Sequence, residues 1–472
     1  MSERIYHTSL FIFRRDLRLE DNRGLLRALE ESESVVPLFI LDPRQTDGLK
    51  NPYFSPNAFQ FMIESLEELD RVLKNRGSQL YLGQGEAASV LERLLPTGEY
   101  AAVYCNQDYT PFAAKRDRGL QSLCDHNGVA CHRPHDALLA QPEDVRTGAG
   151  DPYRVYTAFM KKARDIADIS EPRANNFANF SNRRIEGLSD ISVCRQIMPT
   201  EARRPLAQQG GRSKALRRMR AFDFSLYGDD RDRPDVDGTS KLSAHLKFGT
   251  ISVRELHRHV LDSIGKEKAR PYINELYWRD FYAHLLYWYP ELLGTAMQEK
   301  YRTKTGGSKL EWSRSKTDFE KWCQGHTGFP IVDAGMRQLS ETGWMHNRVR
   351  MIVGSFLTKD LHIDWRWGEK YFAQNLVDYD PASNNGGWQW VASTGADAQP
   401  YFRIFNPWSQ QQKFDPNCLY IKRFIPELCD LSPEQIHGFE KHGVPKGVHY
   451  PEVMVDHKAE RQVALERYKR VR

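Results

Sequence analysis

The sequence predicts an α/β N-terminal domain built on a parallel sheet, followed by a larger all-helical C-terminal domain. Three observations predict it. Short apolar runs alternate with helical patterns through about residues 1–135, strand-like runs nearly vanish after about 214, and all ten tryptophans fall between Trp278 and Trp408. Strand alternating with helix argues for parallel strands joined by covering helices. A stretch that keeps its apolar content but loses strand signals, and gathers indoles, argues for a helical body.

The apolar runs are SLFIF (9–13), VVPLFIL (35–41), QLYL (79–82), AAVYC (101–105) and a weaker VACH (129–132). Between the second and third, Phe59, Met62, Ile63, Leu66 and Leu69 recur at helical spacing. The order is that of a Rossmann-like domain over 1–135. GQGEAA (83–88) fits G-x-G-x-x-A, but it follows the third run and has no acidic ribose partner, so it reads as a tight strand-to-helix turn. From 136 to 213 the pattern loosens into a Pro-, Asn-, Gln-, Gly- and Arg-rich linker, interrupted by one helix near DPYRVYTAFMKKARDI (151–166). Residues 202–220 carry seven Arg and Lys and no acid, which suits a solvated linker or a flank facing phosphates. Residues 214–472 form the helical domain.

The 472 residues suffice for two or three domains, and 27% charged with 40% hydrophobic residues is globular composition. No run approaches the ~20 apolar residues of a membrane span, and MSERIYHTSLFIF lacks the features of a signal peptide. The expected location is cytoplasmic, with no membrane partner. Seven scattered cysteines form no CxxC and no zinc spacing, so reduced thiols and no metal are expected. A net charge of +5 permits a polyanion partner without requiring one.

Four stretches could carry chemistry. In YGDDRDRPDVDGTSKLSAHLKFG (227–249), Thr239 or Ser240 is expected to cap a helix whose free N–H groups attract an anion. In NELYWRDFYAHLLYWYP (274–290), Glu275, Trp278, Arg279 and Tyr282 share one helix face, a costly core face but a good cleft wall. In GWMHNRVRM (343–351), Asn347 and Met351 are spaced i, i+4. Arg350 needs an anion, with Asp378 and Asp380 as candidates, and His346 suits a structural hydrogen bond. DYDPASNNGGWQW (378–390) gathers two acids, two amides and two indoles around what reads as a glycine turn. No nucleophile–base pair and no metal set is visible. The residues suit a cage for an aromatic cofactor that brings its own chemistry.

GTSKLSAHLKFG, NELYWRDF, GWMHNRVRM, DYDPASNNGGWQW and PYFRIFNP stand in the order in which they resemble the photolyase/cryptochrome family, nearest its class I cyclobutane pyrimidine dimer (CPD) photolyases. The resemblance covers essentially the whole chain. It implies FAD bound in the helical domain and light-driven repair: excited, reduced FAD gives one electron to a flipped-out dimer, the ring splits, and the electron returns. It implies contacts to FAD from Tyr227, Thr239, Ser240, Lys241, Leu242, Ser243, Tyr272, Glu275, Arg279, Asn347, Asp378, Asp380 and Asn384, the last beside flavin N5. It implies lesion and DNA contacts from Arg231, Glu275, Trp278, Tyr282, Asn347, Arg348, Met351, Trp390 and Arg403. Glu275 matches the carboxyl that bonds the damaged bases in that family. Trp388, Trp365 and Trp312 match an electron relay from flavin to surface.

Six-four photolyases place histidines where this chain has Asn347 and Met351, and DASH cryptochromes usually have Gln and Tyr in place of Met351 and Trp390. The partner implied is therefore double-stranded DNA holding a CPD, bound by a monomer. The alternatives are a cryptochrome-like blue-light receptor and a six-four photolyase. The family commonly carries a second, antenna chromophore. Here Asn106-Gln107-Asp108-Tyr109 is followed by Thr110 where folate-type members often have an acid. Methenyltetrahydrofolate is favoured on family frequency, with deazaflavin, FMN or none left open.

Overall fold

A computed structural model of the chain describes residues 4–167, 169–398 and 400–471. The five apolar runs are strands: β1 (Tyr6–Phe13), β2 (Ser32–Leu41), β3 (Tyr81–Gln84), β4 (Ala102–Tyr104) and β5 (Ala130–His132). All neighbours pair in parallel, in the order β3-β2-β1-β4-β5. The longest register joins β1 to β2, from Tyr6 opposite Ser32 to Phe13 opposite Phe39. The central strands are apolar and buried over Leu10–Phe13 and Val35–Leu38, where both faces are covered. Leu10, Val36, Leu38, Val103 and Leu120 are among the residues buried in that core.

The crossover helices begin where local chemistry starts them. Asn22 caps α1 (Arg23–Glu31) by accepting from the N–H of Leu25. Ser55 and Thr110 cap α2 (Pro56–Lys74) and α4 (Pro111–His126), each followed by a proline at the first helical position. Between them, α3 (Ala87–Leu94) follows β3 through Gly85, at φ +120°, so GQGEAA is a strand-to-helix turn. The linker holds the expected helix, α5 (Tyr156–Ile166), and a short one at Val193–Ile197, and α6 (Arg212–Ala221) starts at its end.

The described residues after 222 contain helices and only isolated bridges: α7 (Ser243–Phe248), α8 (Val253–Trp288), α9 (Lys316–Gln324), α10 (Pro330–Thr342), α11 (Asn347–Ser355), α12 (Trp365–Asn375), α13 (Pro381–Val391) and α14 (Pro407–Phe414) lead to a last long helix, α15 (His457–Arg470), with shorter turns between. None is long and apolar enough to cross a membrane. The seven cysteines are free.

Two compact units can be separated. One holds the residues up to Tyr153, Thr157–Phe224 and Lys241–Pro290; the other holds Arg154–Tyr156, Ser225–Ser240 and the residues from Glu291 on. The first unit fixes α8 through a buried ionic knot. The fully buried Arg254 donates to Asp21 (3.0 Å) and Asp136 (2.8 Å), and Arg18 donates to Asp136 at 2.6 Å. Removing one partner would strand a buried charge, so the knot holds the start of α8 to the loop between β1 and α1 and to the segment after β5. Further along, α8 kinks at Gly265 (φ 74°, ψ 164°) and carries Pro271, so the site-bearing turns run on as a separate rod. The second unit packs around Trp322, Phe329, Val353, Phe356, Trp365 and Trp388.

Candidate active site

In the first unit, α8 places Glu275, Trp278, Arg279 and Tyr282 half-buried on one face, while Leu276, Tyr277, Asp280 and Phe281 are buried on the others. The i, i+3, i+4, i+7 spacing therefore marks a real stripe. Trp278 lies 5.7 Å from Tyr282 and meets Phe281 edge-on at 5.7 Å, which limits its freedom. Arg279 donates to the carbonyl of Ala137 (2.7 Å) and sits 3.4 Å from Asp280. Asp280 is fully buried and accepts from the N–H groups of Leu139 and Ala140; burial pushes its pKa up to about 7 against the pull of Arg279. Tyr272 is buried, with Phe224 edge-on to it at 4.8 Å.

The start of α7 differs from expectation. The helix begins at Ser243, after a Leu242 cap that supplies no side-chain bond, and neither Thr239 nor Ser240 caps it. Lys241 takes φ +51°, a left-handed turn that ends the preceding segment before a helix can start. A linker residue does the capping instead: Gln208 accepts from the N–H of Ala244 (2.8 Å) and donates to Ser243 Oγ (3.1 Å). Sequence inspection missed Gln208, because a cap 36 residues away leaves no local signal.

In the second unit, Tyr227 carries Arg231 over its ring at 5.8 Å. Thr239 is half-buried and Ser240 buried; before them Gly238 runs so close to Asp230 that a Cβ would lie 2.5 Å from its carbonyl oxygen. His346 caps α11, its Nδ1 accepting from the N–H of Arg348. That fits the structural role read for it. Asn347 and Met351 stand on the open side of α11, and Arg350 finds its anion in Asp378, at 2.9 Å. Arg348 is held by Asp232 at 2.7 Å and lies over Phe414 at 4.5 Å. Arg403 is exposed.

NNGGWQW is not a glycine turn: it lies inside α13. Asp380 caps the helix by accepting from the N–H of Ser383, and Pro381 opens it. Those start signals and the packing of Asn385, Trp388 and Gln389 outweigh the poor helix propensity of Gly386 and Gly387. Asn384 Nδ2 donates to the carbonyl of Glu369 (3.0 Å), which fixes the amide. Beneath it Asn385 donates to the carboxyl of Glu369 (2.9 Å), whose pKa burial pushes up to about 7.

Two of the three relay candidates are buried and the third reaches the surface. Trp388 and Trp365 are buried at 4% and 1% exposure, whereas Trp312 is half-buried and donates to Ser308 Oγ at 2.9 Å. Trp388 lies in a slot between two helices. A Cβ on Gly368 of α12 would sit 2.1 Å from its Cη2, and one on Gly354 of α11 would sit 3.6 Å from its Cζ3. Phe372 and Trp322 bound the ring at centroid distances of 5.0 and 6.2 Å. Sequence inspection missed Gly354, Gly368, Glu369 and Trp322, since none sits in a patterned stretch. Trp390 is half-buried against the same core.

The α13 face suits a flat heteroaromatic ring. One helical turn beyond Asn384, a Cβ built on Gly387 would meet no protein atom within 4 Å, so ring atoms can lie against the backbone there. The amide oxygen of Asn384 can accept a ring N–H. These features fit a flavin. Among the described residues no group of His, Cys, Asp or Glu could hold a metal ion. In the first unit a cavity of ≈570 Å³ opens beyond the carboxyl ends of β2 and β3, with Leu41, Phe54, Phe59, Gln84 and Met198 in its lining. Such a size and partly apolar lining suit a second planar ligand.

Residues 272–470 match the family model described as FAD binding domain of DNA photolyase, and residues 9–176 match the one described as DNA photolyase. The deoxyribodipyrimidine photo-lyase of Halobacterium salinarum is 37% identical, over 98% of this chain and 99% of its own. That of Vibrio cholerae is 38% identical, over 97% and 98%. Among solved structures, an archaeal photolyase from Sulfolobus tokodaii, described as holding two FAD molecules and implying a novel light-harvesting cofactor, superposes with a TM-score of 0.86 at 40% identity, covering 98% of this chain and 100% of that one. A bacterial class III photolyase from Agrobacterium tumefaciens gives 0.87 at 35% identity, covering 100% and 98%.

Proposed function

Because the chain belongs to the DNA photolyase family, we propose that it is a light-dependent deoxyribodipyrimidine photo-lyase that uses FAD to split cyclobutane pyrimidine dimers in double-stranded DNA, acting as a monomer in the cytoplasm. The observation that carries this reading is the α8 stripe: a carboxyl, an indole and a phenol on the half-open face of a helix whose other faces are core. A receptor that only bound flavin would have no need of it.

In this reading residues 214–472 hold FAD, which when bound supplies light-driven one-electron chemistry. Tyr227, Thr239, Ser240, Lys241, Leu242 and Ser243 hold its phosphates. Tyr272, Arg279, Asp378, Asp380 and Asn384 hold or support the ring system, with Asn384 Oδ1 accepting a ring proton. The lesion is extruded from the duplex, at a cost lowered by its poor stacking. Trp278, Tyr282, Met351 and Trp390 give it apolar walls. Glu275 keeps its proton as water is excluded and donates to the damaged bases, alongside Asn347. Arg231, Arg348 and Arg403 hold the DNA phosphates, and Arg348 exchanges Asp232 for phosphate. Trp388, Trp365 and Trp312 carry electrons to the flavin site from the surface.

The second chromophore belongs to the sheet domain, in the cavity beyond β2 and β3 that Met198 of the linker helps to line, and we assign it to the flavin type rather than to a folate. Asn106 of the N-x-x-Y stretch is spent on structure: its amide group donates to Asp16 and Asn22 and its oxygen accepts from Gly24. Tyr109 pairs with His135 at 2.8 Å. The Sulfolobus relative with two FAD molecules, at 40% identity, supports the same choice.

The test is direct. The flavin is reduced without oxygen, an oligonucleotide with one cis-syn thymine dimer is added, and blue light is applied. Thymine absorbance should recover in the light and not in the dark. No recovery with reduced flavin bound would refute CPD repair, and the same assay on a six-four photoproduct would then separate a six-four enzyme from a receptor.

A further inference from the structure

Two of the seven free cysteines, Cys124 and Cys131, are brought together by the way α4 ends. Cys124 lies in the last turn of α4, and the chain reverses directly after it. Gly128 takes φ 66°, and the N–H of Val129 returns to the carbonyl of Cys124 at 2.9 Å. Cys131 follows on β5, opposite Val103 of β4. Both side chains pack into the same apolar core between helix and sheet, and the two thiols stand within hydrogen-bonding reach of each other.

The two thiols are unequal. Cys124 is fully buried, whereas Cys131 is half-buried on the edge strand of the sheet. The hydrogen bond from Cys124 holds the Cys131 thiol below its ordinary pKa, and the charges of Arg133 and Arg14 add to that pull. The shared proton stays on Cys124, whose pKa is raised. A small buried thiol is often no more than core filler, and the other cysteines fit that role. Burial pushes Cys105 up to about 11, and Cys194, Cys323 and Cys418 up to about 12, where a thiol is inert. Cys429 is exposed, and its thiol donates to the carbonyl of Lys422 at 3.4 Å. Among the described residues, Cys131 combines a depressed pKa, access to solvent and a second thiol in reach. Those are the marks of a peroxide-reactive cysteine with a resolving partner.

We propose that Cys131 and Cys124 are a modification site for hydrogen peroxide, a dithiol that closes to a disulfide tying the end of α4 to the edge strand β5. The Cys131 thiolate attacks one oxygen of the peroxide. The O–O bond breaks, and hydroxide leaves and takes up the proton that the Cys131 thiol gave up, forming water. Cys131 is then a sulfenic acid. The Cys124 sulfur attacks the Cys131 sulfur, the S–O bond breaks, and the departing hydroxide takes the Cys124 proton as a second water. Two thiols and one peroxide thus give one disulfide and two waters; the sulfurs lose two electrons and the peroxide oxygens gain them. Closure keeps Cys131 from the irreversible sulfinic acid, and a soluble thiol reopens the bond by exchange.

The test uses the full-length, FAD-loaded protein with its thiols reduced. It is treated with hydrogen peroxide in the dark, then denatured, blocked with N-ethylmaleimide and digested with trypsin. One tryptic peptide, 119–146, holds both cysteines and no other, because Arg133 precedes Pro134. That peptide should become lighter by two hydrogen atoms and take no label until dithiothreitol restores both thiols. This should happen at peroxide levels that leave Cys429 labelled. Full labelling of Cys124 and Cys131 at levels that oxidise Cys429 overturns the proposal, as does sulfinic acid at Cys131 without the disulfide. Both readings come from the parent chain and need no variant. Cys124→Ala should stop at a sulfenic acid on Cys131 that dimedone captures, and Cys131→Ala should protect Cys124. Oxidation of Cys124 at the parental rate in Cys131→Ala refutes Cys131 as the attacking thiol. In the native protein, iodoacetamide should modify Cys131 before the half-buried Cys323; equal rates refute the thiolate assignment and the proposal with it.

Discussion

Gly368→Ala tests the slot that holds Trp388. The added methyl would sit 2.1 Å from Trp388 Cη2, 2.5 Å from Cζ3 and 2.7 Å from Leu357 Cδ2. Carbon atoms pack at ~3.5–4.0 Å, so the indole must retreat by roughly 1.5 Å. Phe372 and Trp322 bound that retreat. Overpacking of this kind costs ~1–3 kcal/mol, and the depth of the clash points to the upper end. Alanine also improves the helix by ~1 kcal/mol over glycine, which partly offsets the clash. A net loss of about 1–2 kcal/mol is expected, read as a lowered urea midpoint with unchanged slope, followed by tryptophan fluorescence. Gly368→Ala as stable as the parent, or more so, would mean that the indole does not fill this space, and the slot would be refuted.

Two other outcomes follow from the same helices. Gly387→Ala adds a methyl that meets no protein atom within 4 Å. It should leave stability equal or raised by up to ~1 kcal/mol while lowering FAD per chain; parental FAD content would count against ring atoms lying on that backbone. Glu369 holds its proton to about pH 7 in the folded chain against 4.5 for the free group, so the unfolded chain loses that proton first and stability falls as pH rises from 4.5 to 7. Glu369→Gln keeps an acceptor for Asn385 and has no proton to lose. It should match the parent near pH 4.5 and exceed it above pH 7 by up to ~3 kcal/mol, as urea unfolding across that range would read. A constant difference across pH would refute a protonated Glu369.

The legible parts of this chain were those with a local period. Five apolar runs marked five strands, and Glu275, Trp278, Arg279 and Tyr282 declared a helix face by their spacing alone. Parallel pairing followed from the helices between the runs. The start of α7 was misread because φ at Lys241 is not a property of Thr239 or Ser240, which looked like caps. Gly386 and Gly387 were misread because isolated propensity favours a turn, whereas a capped start and a buried face impose a helix. Arg350 finds its acid in Asp378, one of the two downstream acids that its need for an anion singles out. Trp322 and Gly368 carried no signal of their own: each matters through a neighbour tens of residues away, and only tertiary packing pairs them with Trp388.

The bond from Gln208 to the start of α7 also orders events in time. Gln208 leaves the ribosome 35 residues before Ser243, so the capping side chain is already outside when the turn that needs it emerges. The backbone of 241–244 gains its partner only by closing a loop of that length, which sets an entropic threshold that a flexible linker would not meet without docking on the sheet domain. That docking is provided for: the amide of Gln60 on α2 donates to the carbonyl of Arg204 and accepts from its N–H. A stretch that reads as a linker therefore supplies part of the structure of α7. Proteolytic nicking or lengthening there would be felt first as a late or incomplete α7, before any loss of the sheet.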